Sequence, residues 1–220
     1  MTDTTTDSIT RDNLIAIAPK NEKQVTIPAS QTLTRGTVLG KITLGTITAA
    51  ALVTGGSGGE TIGSLALQAN PTAKVGAYRA TCIVAGATGL FQVTDPNGTV
   101  VGIATVGTPF VGGGIGFTIT DAGGDPEVGD YFVITVAAGA GTHIACDIAA
   151  VNGEQDPDCV LSEDVTTVGS TQNTLGYTDG TYQSAALVFG GSTVYTDVEE
   201  KMRDRNMYIK ATNANANLGG

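Results

Sequence analysis

The chain has no tryptophan, 5% aromatic residues, 15% charged residues, one histidine, and 11 lysines and arginines against 21 aspartates and glutamates. Each shortage excludes something. A formal charge of −10 repels the phosphate backbone, whose binding rests on Lys and Arg contacts, so nucleic acid is not an expected partner. The one histidine, His143, has no GxSxG-like element within sequence reach, which leaves a serine nucleophile without a base and a metal without imidazole ligands. It is expected at a strand edge or on the surface. Few aromatics leave few platforms for stacking sugars, which tells against a glycosidase although two carboxylates suffice for that chemistry. The expectation is therefore no enzyme, no catalytic residue, no cofactor and no metal centre.

Long apolar runs are missing too. No stretch approaches the roughly 20 residues that cross a bilayer, and the opening MTDTTTDSITRDN has neither the basic start nor the apolar segment of a secretory signal. No membrane partner is expected, and synthesis in the cytoplasm is. Cys82, Cys146 and Cys159 form no CxxC pair and sit in apolar, β-like surroundings, as buried small side chains do.

What the chain does have is 31 glycines amid many Thr and Val, a composition suited to pleated surfaces and tight turns. The fold class this implies is all-β, with one short helix near the carboxyl end. Residues 1–30 read as an extended or disordered arm. Met1 to Asn13 is Thr- and Asp-rich without apolar periodicity, and LIAIAPKNEKQVTIPAS alternates short apolar runs with Pro19 and Pro28, which oppose helix. Such an arm can add a strand to a sheet edge; the other reading is an ordinary first strand. RGTVLGKITLGTIT follows as β, then the glycine cluster VTGGSGGETIG, whose spacing fits no phosphate-binding loop.

From Thr54 to Ala140 the strands YRATCIVA, GLFQVTD, TVVGIATVG, IGFTITD and DYFVITVAA alternate with DPNG, GTPFVGGG and DAGGDPEVGD. This spacing predicts a small β-sandwich, immunoglobulin-like or similar. It is expected as an insert, 54–140, interrupting a host domain made of 31–53 and 141–220, because insertions succeed where their ends lie close together on a surface loop. The sequon Asn97-Gly98-Thr99 is explained by the DPNG turn, where Asn97 is also a deamidation site.

Two acidic clusters, Glu154, Asp156, Asp158, Glu163 and Asp164, and Asp121, Asp125, Glu127 and Asp130, read as solvated loops. Weak calcium binding is the alternative, without EF-hand spacing. Near the carboxyl end, Thr196 and Glu199 fit a capping box, with Asp197, Glu199 and Glu200 at the positive end of a helix and Lys201, Arg203 and Arg205 toward its negative end. Val198, Met202 and Ile209 share a face that packs on the host sheet. MYIKATN returns to strand, and NANANLGG should fray.

Four segments, LTRGTVLGKIT from Leu33, CDIAAVNGEQDPDCVLSEDVTTVG from Cys146, TYQSAALVFGGSTVYTD from Thr181 and VEEKMRDRNMYIK from Val198, resemble the head decoration proteins of tailed bacteriophages, the phage lambda type. The resemblance covers about Leu14 to Val53 and Gly141 to Thr212. Gly- and Thr-rich inserts with a TDPNG-like turn and a VGDYFVITV-like last strand are similar to those of decoration and other virion proteins.

The resemblance implies a capsid-stabilising protein on the outer surface of the virion. It would bind the expanded head as a homotrimer, bridging subunits of the major capsid protein, which its arm touches. The arm residues expected to meet the shell are Leu14, Ile15, Ile17, Val25 and Ile27, unless they serve the host core. Tyr195, Met202, Met207 and Tyr208 are candidate trimer contacts, unless they pack within the subunit. The insert, expected to project outward, is open to a host-surface ligand. The alternative is a virion-surface adhesion or glycan-binding module, for which a monomer that binds cells or sugars would speak.

Overall fold

The computed structural model describes residues 13–56, 58–69 and 73–211. The expected disorder of residues 1–12 and the fraying of NANANLGG fall outside them. In chain order the strands are β1 (Ile15–Ile17), β2 (Glu22–Ile27), β3 (Thr32–Leu33), β4 (Val38–Lys41), β5 (Leu44–Ala49), β6 (Thr61–Leu67), β7 (Gly76–Val84), β8 (Leu90–Thr94), β9 (Val100–Thr105), β10 (Pro109–Gly112), β11 (Ile115–Thr120) and β12 (Tyr131–Ala138). Then come β13 (His143–Ala145), β14 (Pro157–Leu161), β15 (Val165–Thr166), β16 (Gln172–Tyr177), β17 (Gly180–Gln183), a 3-10 turn (Ser184–Ala186), the helix α1 (Tyr195–Arg203) and β18 (Met207–Lys210). The protein is all-β with one short helix near its carboxyl end. No helix among the described residues is long and apolar enough to cross a membrane.

The described residues divide into two compact units, one of residues 13–40, 143–148 and 156–211, the other within 41–142 and 149–155. The expected boundaries at 53/54 and 140/141 thus fall at 40/41 and 142/143. The cause is strand pairing: β5, read from sequence with the host, runs antiparallel to β12 with Thr48 opposite Thr135 and Ile47 opposite Val136. Residues 149–155 follow it, since the Asn152 carbonyl accepts the amides of Thr43 and Leu44, each at 2.9 Å.

The second unit is a β-sandwich, a five-stranded sheet ordered β5-β12-β7-β8-β9 and a three-stranded one ordered β10-β11-β6. Period-two alternation sends one side chain in two inward. Tyr78, Ala80 and Cys82 of β7, Phe91 and Val93 of β8, and Phe132, Ile134 and Val136 of β12 share a single core with Phe110, Ile115, Phe117 and Ile119 of the smaller sheet. Aromatic rings fill its middle, with Phe91 and Phe132 centroids 5.8 Å apart and Phe110 and Phe117 4.9 Å apart. Tyr78 is fully buried, and its hydroxyl donates to the Gly113 carbonyl and accepts the Lys74 amide, both at 2.8 Å, so no polar group is stranded there. The DPNG turn joins β8 to β9. Asp95 accepts the amides of Asn97 (2.9 Å) and Thr99 (3.0 Å), and Gly98 takes φ 80°, which glycine adopts without strain.

The first unit is built on a five-stranded sheet ordered β13-β4-β14-β16-β2. Its two faces feed two cores. Val25, Ile27, Leu39, Cys159 and Leu161 pack with Leu33 and Val165, which lie opposite each other in the β3-β15 pair. On the other side Val38 and Val160 join Leu14, Cys146, Tyr182, Leu187, Val198, Met202 and Met207. Neighbours in sequence, Val38 with Leu39 and Val160 with Cys159, go to opposite cores as the pleat requires. All three cysteines are buried, and burial pushes the Cys159 thiol up to about 12, leaving it inert.

The helix begins earlier than its sequence indicates. Val194 is the N-cap, and its amide donates to Asp197 Oδ2 at 2.9 Å. A valine side chain has no acceptor to return the bond, so half of a capping box is present, and the pair expected at Thr196 and Glu199 is displaced into the helix. Glu199 instead lies 3.5 Å from Arg203, one turn on. Val198 and Met202 are buried, as the helical spacing predicts; Ile209 packs partly against the same core but does so from β18, because the helix ends at Arg203 and the expected three-residue helix face is cut short.

Candidate functional site

The strands β1, β17 and β18 form a small sheet with β17 in the middle, antiparallel to β1 and parallel to β18. Two cross-strand rows result. Ile15 lies opposite Tyr182, which lies opposite Ile209; this row faces inward, where Tyr182 is fully buried and Ile15 and Ile209 pack against the core. Ile17 lies opposite Thr181, which lies opposite Tyr208. This row faces outward: Ile17 is 66% exposed and Tyr208 47%.

The outward row borders a shallow groove of about 340 Å³ whose rim includes Lys20, Asp179 and Asn206. Asp179 holds that rim in shape. Its carboxylate accepts the amides of Lys20 (2.8 Å) and Asn21 (3.0 Å) and the Asn21 side-chain amide (2.9 Å), and the Asn21 amide, then that of Lys20, keeps it below the usual carboxylate range. Its carbonyl accepts the Tyr182 hydroxyl, which burial keeps protonated. Asn206, at φ 61°, closes the turn between α1 and β18, a conformation Asn tolerates better than most residues.

This placement sorts the residues singled out in the sequence. Leu14, Val25 and Ile27 are buried inside the first unit's own cores, so from residue 14 onward the expected arm is strand within that unit, and these three have no surface to offer a shell. Ile15 is half-buried; Ile17 is exposed. Met202 and Met207 are fully buried and cannot touch another copy, whereas Tyr195 is half-buried and Tyr208 exposed. The structure therefore brings one arm residue, Ile17, and one trimer candidate, Tyr208, onto a single surface. Sequence spacing hid this, because the register β1-β17-β18 joins segments some 190 residues apart in the chain.

The first acidic cluster does not form a shared site. Asp156 pairs with Lys201 at 2.8 Å, Glu163 accepts the Thr174 hydroxyl at 2.9 Å, Asp164 accepts the Arg35 amide at 2.7 Å, and Glu154 accepts the Asn152 side chain at 2.6 Å. Asp158 is the centre of an ion clamp that joins four segments of the first unit. Lys23 of β2 bonds one of its oxygens together with His143 Nε2 at 2.7 Å, and Arg205 takes the other at 2.8 Å. His143 is thus on an edge strand, as expected, but 6% exposed and not a surface residue; the carboxylate is what makes its burial tolerable. The His143 bond, then Lys23, hold the Asp158 carboxyl far below the usual range against its burial. A carboxylate held this way is a poor proton shuttle near neutral pH, so the clamp binds structure together. Among the described residues no three His, Cys, Asp or Glu side chains converge as metal ligands.

No family model matches the chain, and no curated protein does. Among solved structures it is similar to Xanthomonas campestris FlgL in two crystal forms. One has 20% identity over 47% of this chain and 33% of that one, the other 21% over 47% and 32%, both at a TM-score of 0.34. The chain spans about a third of the length of those structures, and a likeness at this level assigns neither fold nor function.

Proposed function

We propose that this is a non-catalytic structural protein, a decoration protein that binds the outer surface of an expanded phage head as a trimer and cements it by bridging major capsid protein subunits. The observation that carries the reading furthest is the outward row Ile17–Thr181–Tyr208. A β protein usually turns polar side chains outward on such a sheet, yet this one exposes an isoleucine on β1, the first strand after residues 1–12, and a tyrosine on β18, with only Thr181 of β17 between them. Apolar surface of this kind marks contact sites. The charge of −10 suits an outer face turned away from the genome, and the segments resembling decoration proteins contribute β4, β14, β15, β17, α1 and β18 of the first unit.

The mechanism is mechanical. A ligand that binds the assembled shell and not its separated subunits stabilises the shell by its binding free energy, and three linked sites per trimer convert weak contacts into avidity. Cosedimentation of the purified protein with expanded, undecorated heads, beside light scattering of the free protein, tests it. Saturable binding, a trimeric mass and a higher head melting temperature are expected. A monomer that ignores intact heads and instead binds cells or sugars would overturn it in favour of an adhesion module.

A further inference from the structure

Glu60 is the most isolated charge in the second unit. It is 4% exposed, and its Oε2 has no hydrogen-bond partner. An unpartnered buried carboxylate is costly, and its neighbours worsen the cost: burial first, and then Asp121, Asp130 and Asp125, push its carboxyl up against the pull of its own amide. Relief cannot come from the adjoining chain, because residues 42–73 and 80–142 contain no Lys, Arg or His.

The geometry beside it is specific. A Cβ placed on Gly58 would sit 3.1 Å from Glu60 Oε2 and 3.1 Å from Asp130 Oδ2, with Leu52 Cδ2 at 3.0 Å. Two carboxylate oxygens therefore flank one notch that the missing side chain of Gly58 leaves open. Glu60 and Leu52 also line a cavity of about 260 Å³ with Ala49, Ala51, Ile62 and Phe132. Asp130 is fixed in place by the Thr54 hydroxyl (2.8 Å) and the amides of Glu127 (2.9 Å) and Gly55 (3.2 Å). Burial works to raise its carboxyl, but these bonds outweigh it and hold Asp130 in the charged form.

We propose that the notch over Gly58 binds a calcium-like divalent cation through Glu60 and Asp130. Hard oxygen donors without nitrogen or sulfur select for calcium or magnesium, and calcium accepts an irregular shell completed by water and main-chain carbonyls, whereas magnesium demands a near-ideal octahedron. Two carboxylates place the affinity in the weak class, on the order of 10⁻⁴ to 10⁻³ M. The site is independent of the shell-binding reading.

The test is calcium titration of the full chain after EDTA treatment, followed by calorimetry and thermal melting, with magnesium in parallel. A tenfold excess of calcium over its dissociation constant should raise the melting temperature by roughly 3–6 °C, and magnesium should do less. Glu60→Gln removes the unpartnered charge, so this variant should melt in EDTA no lower than the parent and lose the calcium shift. Gly58→Ala keeps both carboxylates, fills the notch with a methyl group, and should lose the shift as well. A parent chain indifferent to calcium overturns the proposal, and so does a shift that survives intact in both variants or an equal response to magnesium.

Discussion

The two units reach stability by different routes. The second gathers Tyr78, Phe91, Phe110, Phe117 and Phe132 into one continuous core between two sheets. The first divides its apolar side chains between the two faces of one sheet, so each core is thinner, and it adds an ion clamp at Asp158 that ties β2, β13, β14 and the segment after α1. A thick aromatic core depends chiefly on volume, and the carboxylates that folding holds charged in the second unit, Asp95 and Asp130, lie outside it. A thin core stapled by charges depends on protonation. The same chain should therefore hold one unit most sensitive to cavities and another in which a central clamp is sensitive to acid.

The largest effect should follow from Phe132→Ala. Phe132 is fully buried beside Phe91, and truncating a buried phenylalanine costs roughly 3–5 kcal/mol. Hydrogen exchange should show protection lost through β7, β8 and β12 while β4, β14 and β16 keep theirs. Loss spread evenly over both sets would mean that the units unfold as one, and the contrast between them would collapse.

Asp158→Asn comes next. It removes the charge that Lys23, His143 and Arg205 share, and charge-assisted bonds of this kind contribute about 2 kcal/mol, less than a fully buried pair because Lys23 and Arg205 are partly solvated. Protection should fall in the first unit and stay unchanged in the second.

Acid should act on the same unit in the same direction. Asp158 has a folded pKa depressed below its unfolded value near 4, so its contribution is complete above about pH 5 and is lost progressively as pH falls below 4 toward the folded value. Denaturant midpoints read between pH 7 and pH 3 should drop for the first unit in the parent and drop less in Asp158→Asn. An equal pH slope in both proteins would mean that the clamp is not the acid-sensitive element.

How far the sequence told this in advance depended on the range of the interaction. Five of the sandwich strands were legible because alternation and DPNG-type turns act over a few residues; β10 was not, since PFVG lies inside GTPFVGGG, which reads as a turn, and β6 follows a glycine cluster that masks it. The assignment of β5 to the second unit was not, because Ile47 and Val136 meet only in the folded chain. Apolar alternation in LIAIAPKNEKQVTIPAS marked extended chain, read first as an arm, but could not tell a side chain facing the unit's own core from one facing solvent: Val25 and Ile27 went in and Ile17 went out. The helix was visible from Val198 and Met202, while its start was misplaced because Asp197 reaches back to the amide of Val194, a bond no Ser or Thr announces. The Asp158 clamp draws on residues 23, 143 and 205, too scattered to form any motif.

The smallest effect on stability, and the sharpest on function, should come from the small sheet. Its two rows differ only in direction: Tyr182 between Ile15 and Ile209 faces the core, Thr181 between Ile17 and Tyr208 faces solvent. Ile17→Thr keeps a β-branched side chain that suits the strand, and exposed substitutions of this sort usually change stability by no more than about 0.5 kcal/mol. Combined with Tyr208→Ser it should leave the melting temperature near that of the parent and weaken binding to undecorated heads at least tenfold in cosedimentation. Retained binding with an unchanged melt would move the contact to another face, since the fold would be intact and the exposed row would be shown to carry no affinity.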